Sequence, residues 1–179
     1  MKEIMRCAPY IVGITTSGGE CTQYNEFLID LFTEVQKLGI TCLIDSNGSF
    51  DFANDPRILD VCDGVMLDVK AVERTWHTEL VSFTNDTVLK NLDYLLDIKK
   101  LQEVRTLIFP ERDKENEETV RYVAQKISGQ CPYKIIRYRP FGVREKNQKI
   151  LGEFTTNLQY AEYYAQLAKE YGAEKAFVV

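Results

Sequence analysis

Short apolar runs alternate with segments of helical period along this chain, and that alternation limits its fold more than any other feature. The runs cover residues 11–16, 40–44, 64–70, 104–109 and 134–138. Between them, apolar residues recur on one helical face: Phe27, Leu28, Leu31, Phe32, Val35 and Leu38 in one segment, then Val88, Leu92, Leu95 and Leu96, then Val120, Val123, Ala124 and Ile127. Asn25 is placed to cap the first of these and Gly39 to stop it. Pro56 opens a short helix through Cys62. Residues 1–9 look like the end of a helix, and residues 73–86 a loop with one helical turn holding the sole Trp76 and sole His77. Thr155 or Thr156 caps a last helix ending at Tyr171, and residues 175–179 suit a sixth strand. Strand–helix alternation with no block of one type implies a parallel sheet with right-handed crossovers. The continuous apolar run 40–44 fits a strand covered on both faces. The pattern suits a doubly wound sheet or part of a (β/α) barrel; a full eightfold barrel takes about 250 residues. Residues 1–179 read as a single domain, with no linker or low-complexity run.

Composition narrows the function classes. A net charge of −5 gives no basic face for nucleic acid. No apolar run approaches the ~20 residues of a membrane span, and the first residues lack a signal-peptide core, so a cytoplasmic protein is expected. The five cysteines, Cys7, Cys21, Cys42, Cys62 and Cys131, are widely spaced with no C-x-x-C or C-x-x-x-C pair, so no zinc or iron–sulfur signature can be drawn. Cys42 and Cys62 read as reduced, buried packing residues.

The first strand ends in Ser17-Gly18-Gly19-Glu20. Adjacent glycines let a backbone approach a ligand closely, and a carboxylate at the rim, with exposed carbonyls, suits an ammonium group. The same sequence also suits a plain βα turn whose glycines relieve strain. In parallel α/β folds ligands bind at the C-terminal strand ends. Here those ends carry Asp45, Ser46 and Asn47, then Asp68 and Lys70, with Arg105 inside the fourth strand and Arg139 after the fifth. Asp45 and Asn47 suit ribose hydroxyls, and Lys70 a carboxylate. Asp45 and Asp68, on adjacent strands, would repel unless a cation lay between them, with carbonyl oxygens of Ser46 and Met66 completing an oxygen-lined site. The whole set fits an α-amino acid joined to a ribose; the plainer reading is that strand ends are wet and therefore polar. A phosphate-binding P-loop is disfavoured, since the turn is short and no lysine follows the glycines. The basic run Lys134, Arg137, Arg139, Arg144, Lys146 and Lys149 suits an acidic partner or a solvated face.

Taken together, residues 16–20, Ile44-Asp45-Ser46-Asn47-Gly48, Met66-Leu67-Asp68-Val69-Lys70, and the spacing of His77, Leu80 and Asn85 before a leucine-rich helix resemble the radical S-adenosylmethionine (SAM) family of glycyl-radical-enzyme activating enzymes. The resemblance covers nearly the whole chain. It implies a partial (β/α) barrel of the radical SAM type with a mostly parallel sheet, lacking its first βα unit. It implies that Gly18, Gly19 and Glu20 bind the SAM amino group, that Lys70 contacts its carboxylate, and that Arg105 and Arg139 line the cofactor, beside the Asp45 and Asn47 already read as suiting its ribose. It also implies that Asp45, Ser46, Met66 and Asp68 hold a monovalent cation. Arg139 stands where some members have histidine, and Ser82 where glycine is usual.

The family's C-x-x-x-C-x-x-C motif, which ligates a [4Fe–4S] cluster, is missing from this sequence and would lie before Met1. The chain therefore looks like the C-terminal part of an activase that, when complete, cleaves SAM reductively and abstracts hydrogen from a glycine of a partner such as pyruvate formate-lyase, with flavodoxin or ferredoxin as electron donor. Alone it would be inactive. The alternative is a degenerate half-barrel that binds SAM or a protein partner without radical chemistry. Either way, residues 11–16 would form an uncovered sheet edge open to self-association.

Overall fold

A computed structural model describes residues 1–143, 148 and 150–179; Arg144, Lys146 and Lys149 of the basic run lie outside the described residues. Six strands form one sheet in the order β1-β2-β3-β4-β5-β6: Gly13–Thr16, Thr41–Ser46, Gly64–Asp68, Leu101–Ile108, Tyr133–Arg137 and Ala176–Val178. All five pairings are parallel. The helices include α1 (Lys2–Cys7), α2 (Asn25–Gln36), α3 (Arg57–Val61), α4 (Arg74–Val81), α5 (Asp86–Asp97), α6 (Asp113–Ile127) and α7 (Leu158–Glu170).

Strand order decides between the two architectures left open by the sequence. When each right-handed crossover returns to the next strand in the same direction, every helix falls on one face. A doubly wound sheet needs a reversal, and this order has none. The sheet is therefore an open stretch of barrel wall. Its helix-covered face supplies the main core, where Ile44, Leu67, Val104 and Ile135 meet Phe32 and Leu92, all fully buried. Successive strand side chains point to opposite faces, so the intervening residues Asp45, Asp68, Glu103, Arg105 and Lys134 share the bare face. This corrects the expectation that residues 40–44 are covered on both sides. In β2 fully buried residues alternate with exposed or half-buried ones.

The local corrections have physical causes. Asn25 does not cap α2; it is the first helical residue, and its amide donates to Asp55 at 2.7 Å. A 3₁₀ turn, Cys21–Tyr24, intervenes and is capped by Glu20. Asn157 caps α7, accepting from the Gln159 N–H at 2.8 Å. Thr156 is instead buried, donating to the Ile108 carbonyl at 2.6 Å. Residues 73–86 hold the eight-residue α4, because the Glu73 carboxylate accepts from the N–H groups of Thr75 (2.8 Å) and Trp76 (2.6 Å). These bonds hold the Glu73 carboxyl below its usual pKa range.

His77 sits on the inner side of α4, buried, with Nδ1 3.2 Å from the Ala71 carbonyl. A carbonyl only accepts, so Nδ1 carries the proton. Burial lowers the His77 pKa, the charge on Lys70 adds to this, and the Ala71 bond opposes it. The folded pKa is thus below the unfolded one, near 6.5. The unfolded chain takes the proton first as pH falls, so the stability His77 contributes is complete above about pH 6.5 and is lost below it. Urea midpoints measured from pH 8 to pH 5.5 should fall on the acid side, and His77→Gln should flatten that fall. An unchanged acid slope in the variant would contradict this assignment.

Candidate active site at the C-terminal strand ends

The turn after β1 is built by Glu20. Its carboxylate is buried, not at the rim as the sequence suggests. One oxygen accepts from the Thr22 hydroxyl (2.7 Å), the Thr22 N–H (3.4 Å) and the Ser46 hydroxyl (3.0 Å); the other accepts from the Asn47 N–H (2.7 Å). An ionised carboxylate is an acceptor only, and four donors nearly fill it. Glu20 thus ties the turn to the end of β2 instead of offering its oxygens to a ligand. Cys21, beneath the turn, lies 3.6 Å from the Thr16 carbonyl and 3.5 Å from that of Asp45, and burial raises its thiol pKa.

Gly18 and Gly19 take φ of +99° and +56°, and a Cβ built on either meets nothing within 4 Å. Glycine is required there by conformation, and the space in front of the turn is open. Ser17 donates to Asp45 at 3.1 Å. Asn47 is exposed, with its carbonyl oxygen accepting from the Ser49 N–H at 2.9 Å.

A row of charges crosses the bare face from this turn. Asp45 pairs with Arg105 Nη1 at 2.9 Å, Arg105 Nε with Glu103 at 2.6 Å, and the second Glu103 oxygen with Lys134 at 2.6 Å. The remaining Arg105 nitrogen lies 3.2 Å from the Met66 sulfur. Burial works against the Arg105 charge, but its bonds to Glu103 and Asp45 outweigh this and raise its pKa. Asp68 pairs with Lys70 at 2.7 Å. Both carboxylates expected to flank a cation are therefore neutralised by side chains. Ser46 turns its hydroxyl to Glu20. Among the described residues, no group of three or more His, Cys, Asp or Glu is placed to hold a metal ion. Arg139 is exposed and stands apart from this row; with Lys70 it lines a cavity of about 420 Å³.

Glu103 escapes a sequence reading based on strand ends, because it lies inside β4. The signal available was its i, i+2 spacing to Arg105, which puts both on one face. Lys134 was legible only as part of a basic run.

Two cofactors can be tested against these residues. An amino-acid-like group fits: open glycine backbone, Asp45, and the cations Lys70 and Arg105 converge at one end of the sheet. An iron–sulfur cluster does not fit the cysteines present. Cys21, Cys42, Cys62 and Cys131 are buried, Cys7 is half-buried, and burial pushes the Cys42, Cys62 and Cys131 thiols up to about 11, away from the thiolate a metal needs.

No profile of a known protein family matches the chain. Curated relatives do. A Haemophilus influenzae protein named "Putative glycyl-radical enzyme activating enzyme" is 28% identical over 201 aligned positions, spanning 99% of this chain and 76% of that protein. Pyruvate formate-lyase-activating enzyme of Streptococcus mutans is 33% identical over 61% of this chain, and pyruvate formate-lyase 1-activating enzyme of Escherichia coli K12 is 36% identical over 55%. The matches cover 44% and 41% of those two proteins. Among solved structures, a domain of pyruvate-formate lyase-activating enzyme from Bacteroides vulgatus superposes with a TM-score of 0.73 at 19% identity, over 93% of this chain and 98% of that one. Streptococcus suis SuiB bound to S-adenosylmethionine superposes with a TM-score of 0.72 at 14% identity, over 99% of this chain and 41% of that one. At these identities the structural matches establish the fold. Among the described residues, no helix is long and apolar enough to cross a membrane. The chain is thus similar in sequence to proteins named as glycyl-radical-enzyme and pyruvate formate-lyase activating enzymes, and it shares its fold with a pyruvate-formate lyase-activating enzyme domain and with SuiB.

Proposed function

We propose that the bare face of this sheet is the SAM-binding part of a glycyl-radical-enzyme activase. The observation that carries this is the convergence of an open Gly18-Gly19 turn, Asp45, Arg105 and Lys70 at one end of the sheet. Backbone carbonyls of the turn would accept from the SAM amino group, Lys70 and Arg105 would face its carboxylate, and Asp45 and Asn47 its ribose. Glu20 acts one step back, by fixing the turn. A monovalent cation between Asp45 and Asp68 would have to displace Arg105 and Lys70 from them. Bound SAM would supply a sulfonium that, on taking one electron from a donor outside this chain, breaks its sulfur–C5′ bond to release methionine and the 5′-deoxyadenosyl radical able to abstract hydrogen from a partner's glycine. The cysteines here do not fit a cluster, so electron delivery is not assigned to this chain; a flavodoxin- or ferredoxin-type donor would serve the complete protein. The scattered, buried cysteines favour one other reading, a SAM- or partner-binding module without radical chemistry.

Lys70→Ala tests the reading by calorimetry. Losing one charge-assisted contact of about 1.5–3 kcal/mol should weaken SAM binding roughly tenfold or more. Unchanged affinity in a folded variant would overturn the role of Lys70.

We also propose self-association through β1. Among the described residues this strand pairs with β2 alone, and the flanking Tyr10 and Val12 are 88% and 89% exposed. No charged residue lies between Cys7 and Glu20 to discourage pairing. Sedimentation should show concentration-dependent dimers, reduced by Val12→Lys. A strictly monomeric species at high concentration would contradict it.

A further inference from the structure

We infer that Glu103 is a positioning residue for the cofactor's carboxylate: by its bond to Nε it assigns Arg105 to Asp45 and leaves Asp68 to Lys70. The inference deepens the SAM-binding reading and rests on it. Strand register carries the argument. Asp45, Met66 and Glu103 are register partners in one row across the bare face, and Asp68, Arg105 and Lys134 in the next. The carboxylate beside Arg105 in its own row is therefore Asp68, yet Asp68 pairs with Lys70 at 2.7 Å. Arg105 instead reaches back into the first row, to Asp45 at 2.9 Å and to the Met66 sulfur at 3.2 Å. Glu103 draws it there. It stands two residues before Arg105 on the same face, and its carboxylate accepts from Nε at 2.6 Å.

Nε is the inner nitrogen of the guanidinium, so a bond there fixes the direction in which both Nη groups project. Glu103 is itself held from the far side. Its other oxygen accepts from Lys134 at 2.6 Å, and that ammonium lies over the Phe177 ring at 5.9 Å. A guanidinium carries more N–H donors than Glu103, Asp45 and the Met66 sulfur take from it, so donors remain for a ligand anion. A side chain ordered before the ligand arrives spares the cost of ordering it on binding. Without Glu103, Arg105 is free to turn to Asp68 in its own row and compete with Lys70, so both cations of the site lose their fixed places. Charge balance alone predicts the opposite sign. Removing a carboxylate makes the face more positive, which should hold a ligand carboxylate more tightly.

Two readouts on the full chain test this, one of them without cofactor. In ligand-free protein the Arg105 Nε–H resonance should be protected from solvent exchange, lose that protection in Glu103→Ala and keep it in Glu103→Gln, whose amide oxygen still accepts. The second readout is affinity for SAM and for its analogue lacking the carboxylate. Glu103→Ala should weaken SAM roughly threefold to tenfold, the effect of one more side chain to order on binding, and leave the decarboxylated analogue within about twofold. Glu103→Gln should bind SAM within about twofold of the wild type. Glu103→Ala combined with Lys134→Ala removes one charge of each sign, so it keeps the net charge of the face and strands fewer charges than Glu103→Ala alone. It should still weaken SAM as far as Glu103→Ala does. Arg105 Nε protection that survives in Glu103→Ala would overturn the inference. So would SAM binding that is unchanged or tighter in that variant, an equal loss for the analogue, or wild-type affinity in the double variant. A wild-type chain that binds no SAM would sink the activase reading instead, and the Nε resonance would then decide alone whether Glu103 holds Arg105.

Discussion

Glu20→Ala is expected to destabilise the chain by about 3 kcal/mol and to loosen the glycine turn. The substitution strands the Asn47 N–H, the Thr22 hydroxyl and N–H, and the Ser46 hydroxyl, all of which now donate to one buried carboxylate. Each buried donor left unmet costs about 1–3 kcal/mol, offset where water enters the space vacated. For a chain of this length about 3 kcal/mol lowers the melting temperature by about 6–12 °C. Glu20→Gln should recover part of this loss, since it keeps one acceptor oxygen but turns an amide toward groups that are themselves donors. Amide exchange at Gly18, Gly19 and Asn47 should rise more than at the core strand β3. A variant with native stability and unchanged exchange would show that Glu20 is not the group that fixes the turn.

Glu103→Ala is expected to cost a similar amount by a different route. Its side chain is 10% exposed and bridges Arg105 (19%) and Lys134 (27%). Breaking a buried pair by removing one partner costs about 3–5 kcal/mol, and the partial exposure here puts the loss toward the lower end. Arg105 would keep Asp45 but lose its Nε partner, so its orientation across Met66 would relax. The double variant with Lys134→Ala should lose less than the sum of the two single variants, because the second change removes one of the stranded charges. Denaturant melts of the three variants measure this. Additive losses would mean that Glu103 and Lys134 are not coupled.

The strand–helix alternation was legible because parallel strands and amphipathic helices write different periods into the sequence. Strand order was not. Hydrophobic period does not show which side a crossover returns to, so a doubly wound sheet and a partial barrel stayed open until the sequential order was seen. Glu20 reads as a rim carboxylate because the turn is polar on both sides; only the fold of residues 46–47 over it supplies enough donors to bury it. Asn25 has the chemistry of a cap, but the intervening 3₁₀ turn moves the helix start past it. The Asp45–Arg105–Glu103–Lys134 row depends on the register between strands that are far apart in the chain, which no local pattern records. The positions of Gly18, Gly19, Asp45, Lys70 and Arg105 at one end of the sheet follow from the rule that ligands gather at C-terminal strand ends.

The central claim is that this face binds SAM through its methionine end and ribose. The most direct measurement is a titration of isotope-labelled chain with SAM, followed by amide shifts, since that readout registers even millimolar binding. The account predicts saturable shifts concentrated at Gly18, Gly19, Asn47, Asp68, Lys70 and Arg105, and their loss in Lys70→Ala. Saturable shifts confined to another surface, or none at all, would contradict it.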